Sequence, residues 1–179
     1  MTTYKFRKAD VHDLDRIAEI YNRILDLEEA GKATVGWVRD IYPTKENALE
    51  GIDAGEMFVL EDENTVVAAA RINREQVPEY ADAAWEHPEA PDDKVMVLHT
   101  LVVDPTLSGK GYGSAFVRFY ESYAKENGCP YLRMDTNERN AAARRLYAHL
   151  GYREAGIVTC TFNGIRSVHL VCLEKTLQD

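Results

Sequence analysis

The chain has 179 residues, a length that predicts one domain over residues 1–179 with its own apolar core. Its 30 acidic and 21 basic residues give a net charge of −9, which excludes duplex nucleic acid and anionic membranes as partners because both would repel it. The N-terminus lacks the apolar stretch of a signal peptide, and no apolar run is as long as a membrane span, so we expect a cytoplasmic protein without membrane contact.

The first part of the chain alternates between strand and helix patterns. Tyr4–Arg7 alternates as a short strand does, and Asp10 stands where it can cap a helix with apolar residues at helical spacing. Thr44 is placed to cap a second helix. Two apolar runs then follow, Met57–Leu60 and Thr65–Ile72, and the polar residues between them indicate an antiparallel hairpin.

The second part opens with a long excursion, residues 76–93, which is rich in proline and acidic residues and is therefore predicted to be a functional loop. Residues 94–104 form the strongest strand pattern, and a glycine-rich turn leads from it into a helix. A short strand over Tyr131–Met134, a helix over Asn140–Leu150 and a final hairpin over 152–177 complete the chain. The predicted element order is βααβββαβαββ, an α/β arrangement.

Three cysteines, Cys129, Cys160 and Cys172, are unclustered, and two of them stand in strand-like runs. An odd, scattered set favours buried thiols over a disulfide framework or a zinc site. We therefore expect no structural metal.

The glycine-rich turn carries the most informative local chemistry. Glycines at 109, 111 and 113 let the backbone approach a ligand, and the N–H groups at the start of the following helix favour an anion such as phosphate. A turn without a ligand stays open as an alternative. The sequence lacks the spacing of a P-loop. A dinucleotide fingerprint would need GxGxxG, whereas this chain has GxGxG, although Asp135 stands at the end of a strand about 20 residues after the glycines, as that fingerprint requires.

Three spaced motifs follow one another in the second half of the chain: Val103–Pro105, then Gly109–Gly113, and then a helix pattern formed by Asn140, Ala143, Tyr147, Gly151 and Tyr152. Together they resemble the GNAT superfamily of acyl-CoA-dependent N-acetyltransferases. The resemblance implies the acyl-CoA N-acyltransferase fold, a mixed, mostly antiparallel central sheet of about seven strands with about four helices on both faces. It also implies acetyl-CoA as cofactor. The family usually has Arg or Gln where this chain has Ser108, which removes one side chain from the expected pyrophosphate loop.

The resemblance further implies which residues hold the cofactor. Backbone groups of Leu101–Val103 would pair with the pantetheine arm, and the amides of Gly109–Ser114 would hold the pyrophosphate. Asn140 would contact the arm, and Ala143 would keep that helix face narrow. The cofactor residues implied in this way are Leu101, Val102, Val103, Ser108, Gly109, Lys110, Gly111, Tyr112, Gly113, Ser114, Asn140, Ala143 and Tyr147.

Three residues are candidates for proton transfer. By family position Tyr147 is the expected donor to the departing thiolate, with a packing aromatic as the alternative. His99 lies two residues before Leu101 on the same strand face, and an ordinary pKa near 6.5 would suit a base; a core histidine is the alternative. Glu75 is the second candidate for the base.

The acceptor side is predicted from local composition. The elements that build it in the family carry Trp37, Tyr42, Glu75, Tyr80 and Trp85, and aromatic residues beside acids suit a cationic amine. Residues 45–93 carry 14 acidic and 3 basic residues, although such acids can simply keep an exposed loop hydrated. A small-molecule amine, a peptide N-terminus and a lysine side chain all stay open as acceptors, as do a homodimer and a non-catalytic acyl-CoA-binding module of the same fold.

Overall fold

In the computed structural model, which describes residues 3–179, the strands and helices follow the predicted order. The strands are β1 (Tyr4–Lys8), β2 (Met57–Asp62), β3 (Thr65–Asn73), β4 (Val95–Val103), β5 (Tyr131–Asn137), β6 (Arg153–Phe162) and β7 (Ile165–Thr176). The helices are α1 (Leu14–Glu29), α2 (Lys45–Asp53), α3 (Tyr112–Glu126) and α4 (Ala141–His149). Within the described residues, no helix is long and apolar enough to cross a membrane.

One seven-stranded sheet has the order β1-β2-β3-β4-β5-β7-β6. Every neighbouring pair is antiparallel except β4 and β5, which run parallel. The predicted mixed, mostly antiparallel sheet is therefore confirmed. The single parallel pair lies at the centre of the sheet, where the crossover through α3 returns the chain.

Helices α3 and α4 cover one face of the sheet. Phe116 and Tyr120 of α3, together with Tyr147 of α4, pack in one buried cluster with Met96 and Leu98 of β4. Because successive residues of a strand point to opposite faces, the even-numbered residues in this part of β4 face these helices. Tyr120 also donates its hydroxyl to the backbone oxygen of Met96 at 2.6 Å, which ties α3 to the central strand.

Helices α1 and α2 cover the opposite face over the β2–β4 half of the sheet. Ile17, Ile20 and Ile24 recur at helical spacing and pack with Val59 and Ala69 of the sheet. Asp10 caps a short 3₁₀ turn that leads into α1, and Thr44 caps α2, as predicted for its N-terminus. The turn of the β2–β3 hairpin has left-handed backbone at both of its central residues.

The excursion between β3 and β4 serves as a layer of the core. This cover segment, residues 76–94, lies over the β5-β7-β6 half of the sheet on the same face as α1 and α2. Tyr80 and Trp85 are buried there with Val97 of β4, and the indole of Trp85 donates to the backbone oxygen of Tyr80 at 2.7 Å. The guanidinium of Arg133 lies 4.3 Å from the centre of the Trp85 ring. The predicted loop is thus largely irregular, with two short 3₁₀ turns, and it packs Tyr80 and Trp85 onto the sheet.

The cysteines Cys129, Cys160 and Cys172 are free, and Cys129 and Cys172 are buried. The predicted buried thiols are confirmed at these two positions, whereas Cys160 is partly exposed. Burial also raises the pKa of the Cys172 thiol to about 12, so it stays protonated and inert near neutral pH.

Candidate active site

The two central strands pair over only part of their length. The β4–β5 ladder covers Val95–Val97 against Tyr131–Arg133, and beyond these residues the strands separate. Thr100 has a left-handed backbone at φ +52°, and the β3–β4 register shifts at the same place, so β4 bends away from β5. A cavity of about 670 Å³ occupies the opening. This volume is typical of small-molecule sites.

The cavity reaches both faces of the sheet, and its two sides have different walls. We call the first the helix side; it is lined by the glycine-rich turn, α4 and the end of β4. The second, the cover side, is lined by residues from the other face, where α1 and the cover segment lie. Every residue expected at the cofactor lines the cavity: Leu101, Val102, Val103, Ser108, Gly109, Lys110, Gly111, Tyr112, Gly113, Ser114, Asn140, Ala143 and Tyr147.

The turn on the helix side has a backbone that only glycine adopts without strain. Gly109 and Gly111 both have φ of +80°, and a side chain at either position would meet open space, so conformation rather than crowding requires glycine there. Gly111 is the N-cap of α3. Within residues 3–179, no backbone N–H of residues 109–114 donates to another residue. These free N–H groups at the positive end of the α3 dipole fit a phosphate.

A buried carboxylate fixes the position of this turn. Asp104 is 1% exposed and accepts hydrogen bonds from Arg16 and Arg23 of α1, each at 2.6 Å. Its other oxygen accepts from the backbone N–H of Thr106 at 3.0 Å. Burial opposes ionisation, but the hydrogen bonds from Thr106 and Arg16 hold the pKa of Asp104 below its ordinary value. Asp104 therefore ties the start of the turn to α1.

Tyr147 points a phenol into the cavity from α4. Its ring is buried against Tyr152, with ring centres 6.1 Å apart. Its hydroxyl has no hydrogen-bond partner among the described residues. Since every fully buried side-chain oxygen of these residues has a partner, the Tyr147 hydroxyl is accessible and opens into the cavity. Burial, and then the charge of Asp135, raise the pKa of Tyr147, so it holds its proton at neutral pH. Asn140 caps α4 by accepting from the N–H of Ala143 at 3.2 Å.

His99 lines the cavity, but its environment corrects the expected pKa near 6.5. Its Nε2 lies 2.7 Å from the amide oxygen of Asn73, which can only accept, so Nε2 carries the proton. Burial, and then nearby Arg71, lower the pKa of His99 to about 4. The imidazole is thus neutral at pH 7 and has little affinity for a second proton.

The expected acceptor residues fall into two groups. Trp37 and Tyr42 line the cavity, with ring centres 6.3 Å apart, and the Tyr42 hydroxyl is hydrogen bonded to that of Thr100. Tyr80, Trp85 and Glu75 do not line it, which corrects the expectation for these three. Tyr80 and Trp85 are buried in the core under the cover segment, and Glu75 is exposed just after β3.

Asp135 of β5 belongs to the cavity, and the sequence argument missed it. It is the only carboxylate among the lining residues of the described chain. Tyr80 donates its hydroxyl to Oδ2 at 2.6 Å. Burial raises the pKa of Asp135 to about 6, although the hydrogen bond from Tyr80 opposes the shift. The sequence signal is an acid directly after the buried Leu132–Met134 run, where the pattern indicated only the acid of a dinucleotide fingerprint.

Comparison with known proteins gives a family. A model of the acetyltransferase (GNAT) family matches residues 15–152, well over half of the chain. Among curated proteins, the uncharacterized N-acetyltransferase YhfO of Bacillus subtilis (strain 168) is 25% identical over 154 residues, which cover 83% of this chain and 89% of YhfO.

Solved structures share the fold across nearly the whole chain. A GNAT family acetyltransferase from Streptococcus agalactiae matches with a TM-score of 0.81 at 18% identity, covering 100% of this chain and 99% of its own. The yncA protein of Salmonella typhimurium, solved with its cofactor acetyl-CoA, matches with a TM-score of 0.69 at 20% identity over 98% and 95% of the two chains. The ribosomal-protein-S18-alanine N-acetyltransferase of Escherichia coli matches with a TM-score of 0.67 at 18% identity over 99% and 96%.

Proposed function

This chain belongs to the acetyltransferase (GNAT) family, and on that premise we propose that residues 1–179 form one domain that moves an acetyl group from acetyl-CoA to a primary amine. The observation that carries the proposal is the continuous cavity that joins the free N–H groups of residues 109–114 to the hydroxyl of Tyr147. The former suit a pyrophosphate, and the latter suits a leaving sulfur.

The helix side fits acetyl-CoA in two respects. The amides of residues 109–114 would hold the pyrophosphate, and Lys110 adds a positive side chain to the same turn. The β4 backbone beyond Val97 has no strand beside it on the β5 side, so it can pair with the amides of the pantetheine arm.

When bound, acetyl-CoA supplies an activated acetyl thioester. The residues of this chain then have to orient the amine and manage its protons. An alkylammonium must lose a proton before its nitrogen can attack the carbonyl carbon, and the departing sulfur must gain one. Tyr147 keeps its proton until that step because burial raises its pKa, so it can serve as the donor to sulfur. With a pKa of about 4, His99 is a weak proton acceptor, and we do not assign it the role of base.

The test combines cofactor binding with turnover. Calorimetry of the purified chain with acetyl-CoA measures the helix side alone, and release of free thiol over a panel of primary amines measures transfer. We expect binding together with amine-dependent thiol release. Binding without release with any amine would instead support the non-catalytic acyl-CoA-binding module.

A further inference from the structure

The cover side of the cavity contains one ionised group, Asp135, in a mainly apolar wall. We propose that Asp135 receives the ammonium of the acceptor and takes its first proton, and that the acceptor is a primary alkylamine with an apolar body and no carboxylate beside the amine. The role of Asp135 in proton transfer rests on the proposed function, whereas its binding of the ammonium does not depend on that function.

The two oxygens of Asp135 have different roles. Oδ2 accepts the hydroxyl of Tyr80, which is itself buried and held in the core under the cover segment. Oδ1 has no hydrogen-bond partner among the described residues. Since every fully buried side-chain oxygen of these residues has a partner, Oδ1 is accessible and opens into the cavity. A carboxylate that is fixed through one oxygen and free at the other is prepared to accept from an N–H donor.

The walls around Asp135 define the rest of the acceptor. They are mainly apolar and come from separate elements: Trp37, Val77, Phe162, Ile165, Val168 and Leu170. An ammonium beside Asp135 would therefore carry an apolar substituent along these side chains.

Charge excludes one class of amine. Among the lining residues that the structure describes, the only one besides Asp135 with a formal charge at neutral pH is Lys110, which belongs to the turn on the helix side. A carboxylate on the carbon next to the amine would be buried near Asp135 without a cation to pair with it. Arg139 and Arg166 line a neighbouring cavity of about 310 Å³ and not this one. Free α-amino acids are therefore poor acceptors.

The proton balance is complete with groups already in place. The ammonium gives one proton to Asp135 Oδ1, and the neutral nitrogen forms the C–N bond while the C–S bond breaks. Tyr147 gives its proton to sulfur and regains one from the new amide nitrogen. Asp135 returns its proton to solvent, so one proton is released for each acetyl group transferred.

This role requires Asp135 to be ionised, so the groups around it matter. Tyr80 of the cover segment donates to it, and the negative charge of Glu79 in the same segment raises its pKa. Tyr42 and Tyr147 line the same cavity, and Cys172 stands opposite Asp135 on β7. The pKa values of both tyrosines and of Cys172 are raised, and that of His99, which lines the same cavity from β4, is lowered to about 4. All four groups are therefore neutral near pH 7, and Asp135 is the group that titrates near pH 6.

The direct experiment measures binding without turnover. The complex with free CoA carries no acetyl group, so calorimetry on it can compare phenethylamine, phenethyl alcohol and phenylalanine, which share one apolar body. We expect the amine to bind at least about tenfold more tightly than the other two, because only the amine places a charged N–H donor on the carboxylate. Equal binding of the amine and the alcohol would overturn the proposal.

Two variants distinguish the effect of the carboxylate in the cavity from the effect of the chain's net negative charge. Asp135→Asn keeps the shape and removes the charge, and we expect it to lose the preference for the amine while CoA affinity is unchanged. Asp82→Asn makes the same chemical change at an exposed acid of the cover segment that does not line the cavity, and it should keep the preference. An amine preference that survives in folded Asp135→Asn would contradict the assignment.

A measurement on the unmodified protein covers the case in which Asp135→Asn fails to fold. Because the pKa of Asp135 is about 6, lowering the pH from about 7.5 to about 5 should protonate it and reduce the amine-to-alcohol affinity ratio. A ratio that stays constant over this range would overturn the proposal. The transfer reaction and the role of Asp135 can also be refuted separately. Absent turnover with a retained amine preference refutes only the transfer reaction, whereas normal turnover in Asp135→Asn refutes only the role of Asp135.

Discussion

The helix side and the cover side of the cavity are built on different principles. The helix side uses backbone groups: the amides of residues 109–114 and the unpaired edge of β4. The cover side uses side chains contributed by separate elements, including Trp37 from the loop before α2, Asp135 from β5 and Phe162 from β6. Backbone groups suit a constant ligand such as a cofactor, whereas side chains can change with the acceptor. Family membership therefore identifies the ligand of the helix side, whereas the ligand of the cover side depends on side chains particular to this chain.

The largest expected effect on stability lies at the support of the helix side. Asp104→Ala should destabilise the chain by about 3 kcal/mol, because it leaves Arg16 and Arg23 without the buried carboxylate that both contact. It should also weaken acetyl-CoA binding by displacing the turn. Urea unfolding and calorimetry measure the two effects. Asp15→Ala, which removes a fully solvated carboxylate paired with Lys45, is the matched control and should leave the unfolding midpoint near that of the wild type.

Between the two sides, Tyr147→Phe should lower kcat by about 100-fold with acetyl-CoA affinity unchanged, because it removes a proton donor without changing shape. Steady-state kinetics and calorimetry on the same preparation test this. Tyr152→Phe makes the same change in an adjacent ring whose hydroxyl donates to Glu121 and does not line the cavity. We expect kcat of that control to stay near wild type. Equal losses in both variants would assign Tyr147 a packing role.

The cover side should show a conflict between stability and function. Burial raises the pKa of Asp135 to about 6, so the folded chain binds this proton more tightly than the unfolded chain does. The wild type therefore loses stability as the pH rises from about 4 to about 6, and Asp135→Asn avoids that loss. We expect this variant to be more stable by about 2 kcal/mol at pH 7, with the gain vanishing at about pH 4. Urea unfolding across this range tests the sign, and a pH-independent difference would contradict it.

The smallest effect should come from the turn itself. Ser108 stands where the family usually has Arg or Gln, so Ser108→Arg adds a positive side chain beside the expected pyrophosphate. We expect acetyl-CoA to bind about threefold more tightly, with the gain reduced by added salt because the group is exposed. Ser108→Gln, without the charge, is the control for that salt dependence. A gain unaffected by salt would argue against an electrostatic cause.

The same division explains what could be predicted from the sequence. The element order and the glycine turn depend on local signals, such as the spacing of Gly109 and Gly111, and both were predicted. Tyr80 and Trp85 were misassigned to the acceptor site because sequence cannot tell an aromatic residue in a loop from one folded onto a sheet. Asp135 was missed because its importance depends on its neighbours across the cavity. His99 has a low pKa because it is buried and because Arg71 lies opposite it on β3, and both depend on how the strands pair.

One measurement tests the central claim most directly. Acetyl-CoA labelled in its acetyl group is mixed with excess enzyme and phenethylamine, and the products of a single turnover are identified by mass spectrometry. We expect the label on the amine nitrogen and an equal amount of free CoA, with Tyr147→Phe forming the same product more slowly. Labelled acetyl-CoA that is bound but recovered intact, in the presence of every amine tried, would contradict the assignment of this cavity as a site of acetyl transfer.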